Sequence, residues 1–347
     1  MTAASLSGCS RAEAVSDGKI NVVCMIFPQY DWVRQIIGDD AENFDVTLLL
    51  DKRIDLHNYQ PTVDDFIKIS VCDLLIYVGG ESDKWVNDAL KKAANKNMAV
   101  INLLETIGYS VKYVEIVEGM EDDGHDHGYE HGDGEAHGDG DNHGTGGANT
   151  SAHDHGTGGA NTTAHNHRTD YDEHVWLSLR HAQTFCSAIA GAVTALDPGN
   201  AEKYSNNLTA YIDKLAGLDS QYEAAVKAAP VRTLIFGDRF PFRYLADDYG
   251  LIYHAAFVGC SAETEANFDT IIYLAKKMDE LNMKYIVVTE SSDKKIAETV
   301  IRESGGGNQK ILVLDAIQSA ASGDIANGTT YLSVMEDNLR ILKEALA

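Results

Sequence analysis

Residues 19–27 read KINVVCMIF, an apolar run that ends at Pro28. Three similar runs follow along the chain: FDVTLLL at 44–50, CDLLIYV at 72–78 and MAVINL at 98–103. Segments with helical character separate these runs at 30–37, 62–69 and 83–94. Strands that are apolar on both faces and alternate with helices are typical of parallel sheets covered on both sides. Residues 19–118 therefore predict an α/β lobe.

The second half of the chain repeats this pattern. Its predicted strands lie at 231–236, 251–257, 284–289 and 310–314, and its predicted helices at 241–249, 264–281, 294–303 and 330–346. Between the two halves, residues 171–229 contain a helix at 179–196 and a longer one at 200–228, whose apolar residues recur every three or four positions. The pattern predicts a second α/β lobe over 230–347, joined to the first by one long helix.

A histidine-rich insert occupies residues 119–170 and repeats the unit HGTGGANT at 143–150 and 155–162. It carries nine of the thirteen histidines of the chain: His125, His127, His131, His137, His143, His153, His155, His165 and His167. The insert has almost no apolar side chains to bury and cannot offset the entropy cost of ordering, so we expect a disordered loop. Its imidazoles and carboxylates favour weak accessory zinc binding, and a solvated linker that grew by repeat duplication is the alternative.

The N-terminus contains the sequence LSGC at 6–9, followed by a polar stretch. A small-residue site before a cysteine is typical of a bacterial lipoprotein signal. Residues 1–18 are therefore interpreted as a truncated signal peptide and linker, with Cys9 as the lipidated residue; a chance occurrence of the four residues is the alternative. Lipidation of Cys9 would anchor the protein to a membrane outside the cytoplasm.

Composition restricts the classes of function. The formal charge at pH 7 is −25, from 53 acidic and 28 basic residues, which argues against nucleic-acid binding because that requires basic patches. The remaining cysteines, Cys24, Cys72, Cys186 and Cys260, lack paired spacing, and the first two lie in apolar runs as predicted core thiols. The sequence contains none of the HExxH, P-loop or GxGxxG motifs and no triad spacing, so we expect no enzymatic activity.

Four histidines lie outside the insert: His57, His174, His181 and His254. His57 follows the second predicted strand, His174 lies where ordered sequence resumes after the insert, and Asp315 follows the last predicted strand. Loops at the carboxyl ends of parallel strands form ligand sites, and imidazole with carboxylate suits zinc or manganese. His57, His174 and Asp315 are therefore candidate metal ligands, whereas His181 and His254 are interpreted as structural.

Five short motifs occur in an order that resembles a known family. They are HNYQPTVDD at 57–65, DEHVWLS at 172–178, FRYLADDYGL at 242–251, TESSDKK at 289–295 and VLDAI at 313–317, with the histidine-rich insert before the second. From about residue 19 to its C-terminus, outside the insert, the chain resembles the solute-binding lipoproteins of zinc and manganese ABC importers. The resemblance implies two Rossmann-like lobes with parallel sheets, a long backbone helix joining them and a metal cleft between the lobes.

The resemblance also implies which residues bind the metal. It assigns ligand roles to His57 and His174 from the first lobe and to Asp315 from the second. A further ligand of the family, histidine or glutamate, lies ten residues before the tyrosine of the YGL motif, and this position is Arg239 here. Arginine has no lone pair to offer and cannot coordinate. Glu290, at the end of a predicted strand, is expected to support the site by orienting a histidine, or else to cap a helix.

Three interpretations of the missing ligand stay open. In the first, Asp238 supplies the ligand through a local shift of the chain. In the second, water completes a three-ligand site and Arg239 pairs with a carboxylate such as Asp315. In the third, a carboxylate of the segment GCSAETEANF, Glu263 or Glu265, moves into the site.

The sequence thus predicts a zinc receptor of an ABC importer, extracytoplasmic and lipid-anchored to the membrane or periplasmic. It would capture Zn²⁺ in the interlobe cleft and deliver it to a permease that works with an ATPase subunit. We expect a monomer, and we expect Zn²⁺ rather than Mn²⁺ because members of the family with a histidine-rich loop are the zinc-selective ones. The alternatives are a surface adhesin or zinc-buffering lipoprotein, a manganese receptor of the same family, and a metal-dependent hydrolase.

Overall fold

Two parallel four-stranded sheets, one in each half of the chain, form the framework of the protein. The structure, a computed structural model, describes residues 18–51, 54–121, 170–261, 265–318, 320 and 322–347. The strands are β1 (Ile20–Cys24), β2 (Phe44–Leu48), β3 (Leu74–Tyr77) and β4 (Ala99–Asn102) in the N-terminal lobe, and β5 (Thr233–Phe240), β6 (Ile252–Val258), β7 (Tyr285–Thr289) and β8 (Lys310–Leu314) in the C-terminal lobe. The strand orders β2-β1-β3-β4 and β6-β5-β7-β8 are equivalent. The two predicted α/β lobes are confirmed.

Helices connect the strands in both lobes, as parallel pairing requires. They are α1 (Phe27–Ile37), α2 (Val63–Val71), α3 (Val86–Lys92), α4 (Leu103–Ile107), α5 (Leu179–Leu196), α6 (Ala201–Ala228), α7 (Arg243–Tyr249), α8 (Phe268–Glu280), α9 (Lys295–Glu303), α10 (Ser322–Ala326) and α11 (Tyr331–Ala345). The sequence does not predict α4 and α10, because one helical turn is too short to show an apolar period. Among the described helices, none combines the length and the apolar content needed to cross a bilayer.

Helix α6 is the predicted long helix, and it fastens the two lobes together. It has 28 residues and is about 42 Å long at 1.5 Å per residue. It packs against α1 and α5 on the N-terminal side and against α7 and α11 on the C-terminal side. The Asn207 side-chain amide donates to the Ile36 carbonyl at 2.9 Å, and the Tyr222 hydroxyl donates to the Met335 carbonyl at 2.6 Å. Polar side chains towards the two ends of the helix therefore fix it against one lobe each.

Helix α1 begins at Phe27, before the predicted start at residue 30. Pro28 lies in its first turn, where the missing N–H of proline leaves no helical bond unmade. The Gln29 side-chain oxygen accepts hydrogen bonds from the backbone N–H groups of Met25 at 2.9 Å and Ile26 at 3.3 Å. This amide oxygen provides an acceptor for two backbone N–H groups at the start of the helix, a role that a short polar N-cap residue usually has.

Strand β5 continues to Phe240, past its predicted end at residue 236. Its register against β6 shifts between Phe236 and Arg239, as it does at a bulge. Asp238 and Arg239 therefore belong to the strand and not to a loop after it. The sequence misses this extension because Gly237 and two charged residues interrupt the apolar run.

One apolar core cluster extends over both lobes, and a second one lies within the C-terminal lobe. The Trp176 indole N–H donates to the Ala316 carbonyl at 2.8 Å, and the Tyr331 hydroxyl donates to the Trp176 carbonyl at 2.7 Å. The Tyr331 backbone N–H donates to Asp31 at 2.9 Å, and its ring lies edge-on to Trp32. Buried hydrogen bonds thus hold the segment around residue 176 between the N-terminal and C-terminal lobes.

His181 and His254 contact side chains of the fold. The His254 Nδ1 atom lies 2.9 Å from the Tyr273 hydroxyl. The His181 ring lies in the first turn of α5, in a T-shaped contact with Tyr244 at 5.3 Å between centroids. Burial, reinforced by the charge of Lys112 and opposed by that of Asp247, lowers the pKa of His181 to about 4.

Replacing His181 with phenylalanine would remove this titrating group and keep an aromatic ring against Tyr244. Because the folded pKa of about 4 lies below the ordinary value of 6.5, the contribution of the neutral ring to stability is complete above pH 6.5 and is lost as pH falls towards 4. When the pH is lowered from 7 to 5, we expect the unfolding free energy of the wild type to fall by about 1 kcal/mol more than that of His181→Phe. This value is reduced because the ring is partly exposed and solvent screens its charge. Denaturant titrations at the two pH values measure this difference, and equal losses would contradict it.

Candidate metal centre

His57 lies in a single 3-10 turn, Leu56–Asn58, in the segment between β2 and α2. Asp55 caps the turn by accepting a hydrogen bond from the His57 backbone N–H at 3.0 Å. The Nδ1 atom of the His57 ring lies 2.7 Å from the Ser82 hydroxyl and 3.4 Å from Glu173 Oε2. These contacts engage one ring nitrogen and leave Nε2 to bind a ligand, as in protein metal sites where a polar partner orients each histidine.

His174 is fully buried and precedes a second 3-10 turn, Val175–Leu177. One carboxylate oxygen of Asp172 lies 2.9 Å from both the backbone nitrogen and the ring Nδ1 atom of His174. The other side of the ring contacts Trp176, with 5.3 Å between the centroids. As in His57, the ring has a fixed orientation, and its Nε2 atom can coordinate a metal in place of the hydrogen bond that it makes to the Gln318 amide oxygen.

The two available nitrogens face each other. His57 Nε2 and His174 Nε2 are 3.2 Å apart. Two nitrogens that each bind a tetrahedral zinc ion at about 2.0–2.1 Å would be about 3.3 Å apart, so the observed separation fits a shared ion. Burial and the positive charges of His174 and Arg239 outweigh nearby carboxylates and lower the pKa of His57 to about 4. His57 is therefore neutral at physiological pH, the form that binds metal.

A third potential ligand is Cys260, which the sequence interpretation did not include. Among the described residues, His57, His174 and Cys260 form a His/Cys/Asp/Glu group with ligand atoms all within 4.8 Å of one another. Burial, followed by the negative charges of Asp172 and Glu173, raises the pKa of the Cys260 thiol well above its ordinary value. Cys260 comes just after β6, at the carboxyl end of the strand, and this position is the signal that could have identified it.

Of the predicted carboxylate ligands, Asp315 and Asp238 do not belong to this group. Asp315 follows β8, and its Oδ1 atom accepts a hydrogen bond from the Ile317 N–H at 2.7 Å. Asp238 Oδ2 accepts from the Thr289 hydroxyl at 2.5 Å and from its backbone N–H at 3.1 Å, and Oδ1 accepts from the Arg239 N–H at 2.8 Å. Asp238 therefore joins β5 to β7 through Oδ2, and its Oδ1 atom bonds within β5. The ligand roles of both aspartates stay predictions.

The two glutamates proposed as substitutes lie in the segment that follows Cys260. Glu263 lies outside the described residues, and Glu265 is exposed. The sequence interpretation selected this segment for its carboxylates, whereas the side chain that the structure places beside the two histidines is the thiol of Cys260. Cys9 and the nine histidines of the insert also lie outside the described residues.

Arg239 pairs with Asp55, whereas the sequence interpretation had suggested a carboxylate such as Asp315. Its Nη2 atom lies 2.9 Å from Asp55 Oδ2, and both side chains are largely buried, at 15% and 13% exposure. Its Nη1 atom also donates to the Ser261 carbonyl at 3.4 Å. The Arg239 guanidinium thus connects the N-terminal lobe to the turn that carries Cys260.

Gln318 is a second residue of the site that the sequence interpretation missed. Its side chain is buried. One of the two amide orientations gives hydrogen bonds to both the nitrogen and the oxygen, and in that orientation the nitrogen donates to Asp55 at 2.8 and 2.9 Å. The amide oxygen then lies 2.8 Å from His174 Nε2. No motif signals this residue, because its role depends on two side chains that are distant in the sequence.

Glu290 supports the turn after β8. Its Oε2 atom accepts a hydrogen bond from the Ala316 N–H at 2.8 Å. Burial and the nearby charge of Asp315 raise the pKa of Glu290 to about 7. The Glu290 side chain thus contacts the segment that carries Asp315 and Gln318. The sequence had suggested instead that it orients a histidine or caps a helix.

A cavity of about 470 Å³ opens beside the ligand group. Its lining includes His57 and Cys260 together with Glu173, Glu121 and Asp170. The last two belong to the two ends of the histidine-rich insert, on either side of positions 122–169. Because the lining is acidic, the cavity favours the entry of a cation.

A model of the protein family described as zinc-uptake complex component A, periplasmic, matches residues 22–345. The chain belongs to this family. The match confirms the resemblance to solute-binding proteins of metal importers that the sequence motifs carry, and it extends over both lobes and the helix between them.

The relatives with similar sequences are bacterial zinc proteins by name. Zinc-binding protein AdcA of Streptococcus pyogenes is 27% identical over 335 residues, which cover 95% of this chain and 57% of AdcA. High-affinity zinc uptake system protein ZnuA of Bacillus subtilis is 29% identical over 347 residues, which cover 100% of this chain and 94% of ZnuA. The chain therefore spans little more than half the length of the AdcA relatives.

Solved structures have the same fold. The metal-dependent lipoprotein YcdH of Bacillus subtilis aligns with a TM-score of 0.68 at 26% identity, covering 94% of this chain and 99% of that one. The Zn(II)-bound ZnuA-like domain of Streptococcus pneumoniae AdcA aligns with a TM-score of 0.66 at 24% identity, covering 95% and 99%. Both confirm the architecture of two α/β lobes joined by a long helix.

Replacing Arg239 with methionine would test the connection between the lobes. Removing one partner of a largely buried ion pair leaves Asp55 as an uncompensated charge, so we expect the unfolding free energy to fall by about 3 kcal/mol. Arg180 provides the matched control, because it pairs with Asp219 but its side chain is 45% exposed. Arg180→Met should lower the unfolding free energy by less than about 1 kcal/mol. Denaturant unfolding of both variants measures the costs, and similar values for the two would contradict the expectation.

Proposed function

We propose that this chain is a zinc-binding receptor of an ABC-type metal importer. It captures Zn²⁺ in the cleft between its lobes and delivers it to a permease that works with an ATPase subunit. The observation that carries the proposal is the pair of Nε2 atoms of His57 and His174, 3.2 Å apart, with the Nδ1 atom of each ring engaged by a polar partner. The names of the AdcA and ZnuA relatives support zinc as the cargo.

The surroundings of the two histidines suit binding without chemical conversion. Asp172 contacts the backbone and ring of His174, and Glu173 Oε1 accepts a hydrogen bond from the Ser82 N–H at 2.8 Å. These carboxylates orient the ligands, whereas a metal-dependent hydrolase needs a carboxylate placed to activate water. We therefore infer a receptor and not an enzyme.

An extracytoplasmic location, with a lipid anchor at Cys9, fits the same function. The family description includes the word periplasmic, and the Streptococcus pneumoniae relative is named zinc-binding lipoprotein AdcA. The sequence LSGC at 6–9 supplies a cysteine for such an anchor. A receptor held at the membrane stays close to the permease that it supplies.

Alanine substitutions of the two histidines test the cleft. His57→Ala and His174→Ala should each weaken the tight zinc site by tenfold or more, about 1.4 kcal/mol, because each removes one ligand of a shared ion. His254→Ala is the matched control, since His254 contacts Tyr273 and is not part of the ligand group. Competition titrations against a zinc indicator measure the affinities. Unchanged affinity in both cleft variants would remove these histidines from the site.

The histidine-rich insert should bind several zinc ions weakly and independently, because a segment with almost no apolar side chains must lose conformational entropy whenever it assembles a site. Replacing its nine histidines with serine should abolish these weak sites and keep the tight one. Calorimetric zinc titrations of the wild type and of this variant distinguish the receptor from a zinc-buffering lipoprotein, which would lose nearly all of its binding. A single additional tight site in the wild type would contradict the expectation of independent weak sites.

A further inference from the structure

Cys260 lies in a tight turn whose position is fixed from both sides. The Ser261 N–H donates to the Val258 carbonyl at 3.2 Å, which closes the turn after β6. The Arg239 guanidinium donates to the Ser261 carbonyl and pairs with Asp55 of the other lobe. The turn is therefore held against the N-terminal lobe, on the side where His57 follows Asp55.

The backbone of this turn also lies against the ring of His174. A Cβ atom added to Gly259 would be 2.9 Å from His174 Cε1 and 2.8 Å from the Phe240 carbonyl oxygen, closer than real Cβ atoms come. Only glycine fits at this point. The next residue is Cys260, whose Sγ atom lies within 4.8 Å of one ring nitrogen of each histidine.

We propose that the Cys260 thiolate is a zinc ligand, in a site formed by His57, His174 and Cys260, and that it replaces the ligand that Arg239 cannot supply. The inference rests on the proposed zinc-receptor function and adds a sulfur ligand to it. On binding, the zinc–sulfur bond forms as the S–H bond breaks, and the proton leaves to solvent. The two histidines come from the N-terminal side of the cleft and Cys260 comes from the C-terminal lobe, so one ion joins both.

The nature of the ligand also determines which metal is preferred. Thiolate and imidazole favour zinc, whereas manganese prefers carboxylate and other oxygen ligands. The arginine at residue 239 removes one family ligand position from coordination, and the sulfur of Cys260 supplies a softer ligand. We therefore expect the site to select zinc over manganese through Cys260.

X-ray absorption at the zinc edge tests the ligand directly in the wild-type protein with one equivalent of zinc. The proposal expects one sulfur at about 2.3 Å beside nitrogen ligands at about 2.0–2.1 Å. The insert contains histidines but no cysteine, so zinc bound there contributes no sulfur signal. A spectrum fitted by nitrogen and oxygen alone would overturn the proposal.

Variants loaded with cobalt(II) identify the sulfur. The wild type should show a thiolate-to-cobalt charge-transfer band in the near ultraviolet, which Cys260→Ser should lose. Cys9→Ser is the matched control and should keep the band. Loss of the band in Cys9→Ser, or its persistence in Cys260→Ser, would overturn the assignment. If Cys260→Ser does not fold, the absorption spectrum of the wild type decides the question alone.

Two further measurements separate this proposal from the proposed function. Cys260→Asp should still bind metal but lower the ratio of zinc to manganese affinity by tenfold or more, because a carboxylate replaces the thiolate. An unchanged ratio would overturn the inference. If the wild type binds zinc tightly, and does so through His57, but shows no sulfur ligand, the inference about Cys260 fails and the receptor function stands. If the wild type has no tight zinc site, the receptor function itself fails.

Discussion

The arrangement of the site depends on Asp55. This carboxylate caps the turn that carries His57, pairs with Arg239 of β5 and accepts hydrogen bonds from the Gln318 amide after β8. Burial alone would raise its pKa, but the neighbouring His57 and Arg239 outweigh that effect and lower it. Asp55 therefore remains charged, and one side chain of the N-terminal lobe holds two segments of the C-terminal lobe beside the histidines.

This network explains how an arginine can lie close to the two candidate ligand histidines. A guanidinium near a divalent cation would repel it, but the charge of Arg239 is matched by Asp55 at 2.9 Å. The same pairing engages Asp55, while Asp238 is bonded to Thr289. Beside this network, the structure brings one ligand atom each of His57, His174 and Cys260 within 4.8 Å of one another.

The sequence predicts the fold well because each buried strand corresponds to a short apolar run in the sequence. It fails where local pattern and structure diverge: β5 runs through Gly237 and two charged residues, and α4 is too short to show a period. His57 and His174 are recognisable from short motifs. Cys260 and Gln318 are not, because their roles arise from contacts with histidines far away in the chain, and tertiary contacts of this kind leave no periodic signal.

Three carboxylates lie near the two histidines and bear on which metal the proposed site would prefer. Asp172, Glu173 and Asp55 all lie near the histidines, and their fixed negative charge favours any divalent cation. Each of them, however, bonds to a nitrogen of His57, His174, Ser82, Arg239 or Gln318. These carboxylates attract a divalent cation through space, and the neighbouring imidazoles and thiol offer nitrogen and sulfur for its coordination. Coordination by imidazole and thiolate favours zinc over manganese, because manganese prefers oxygen ligands.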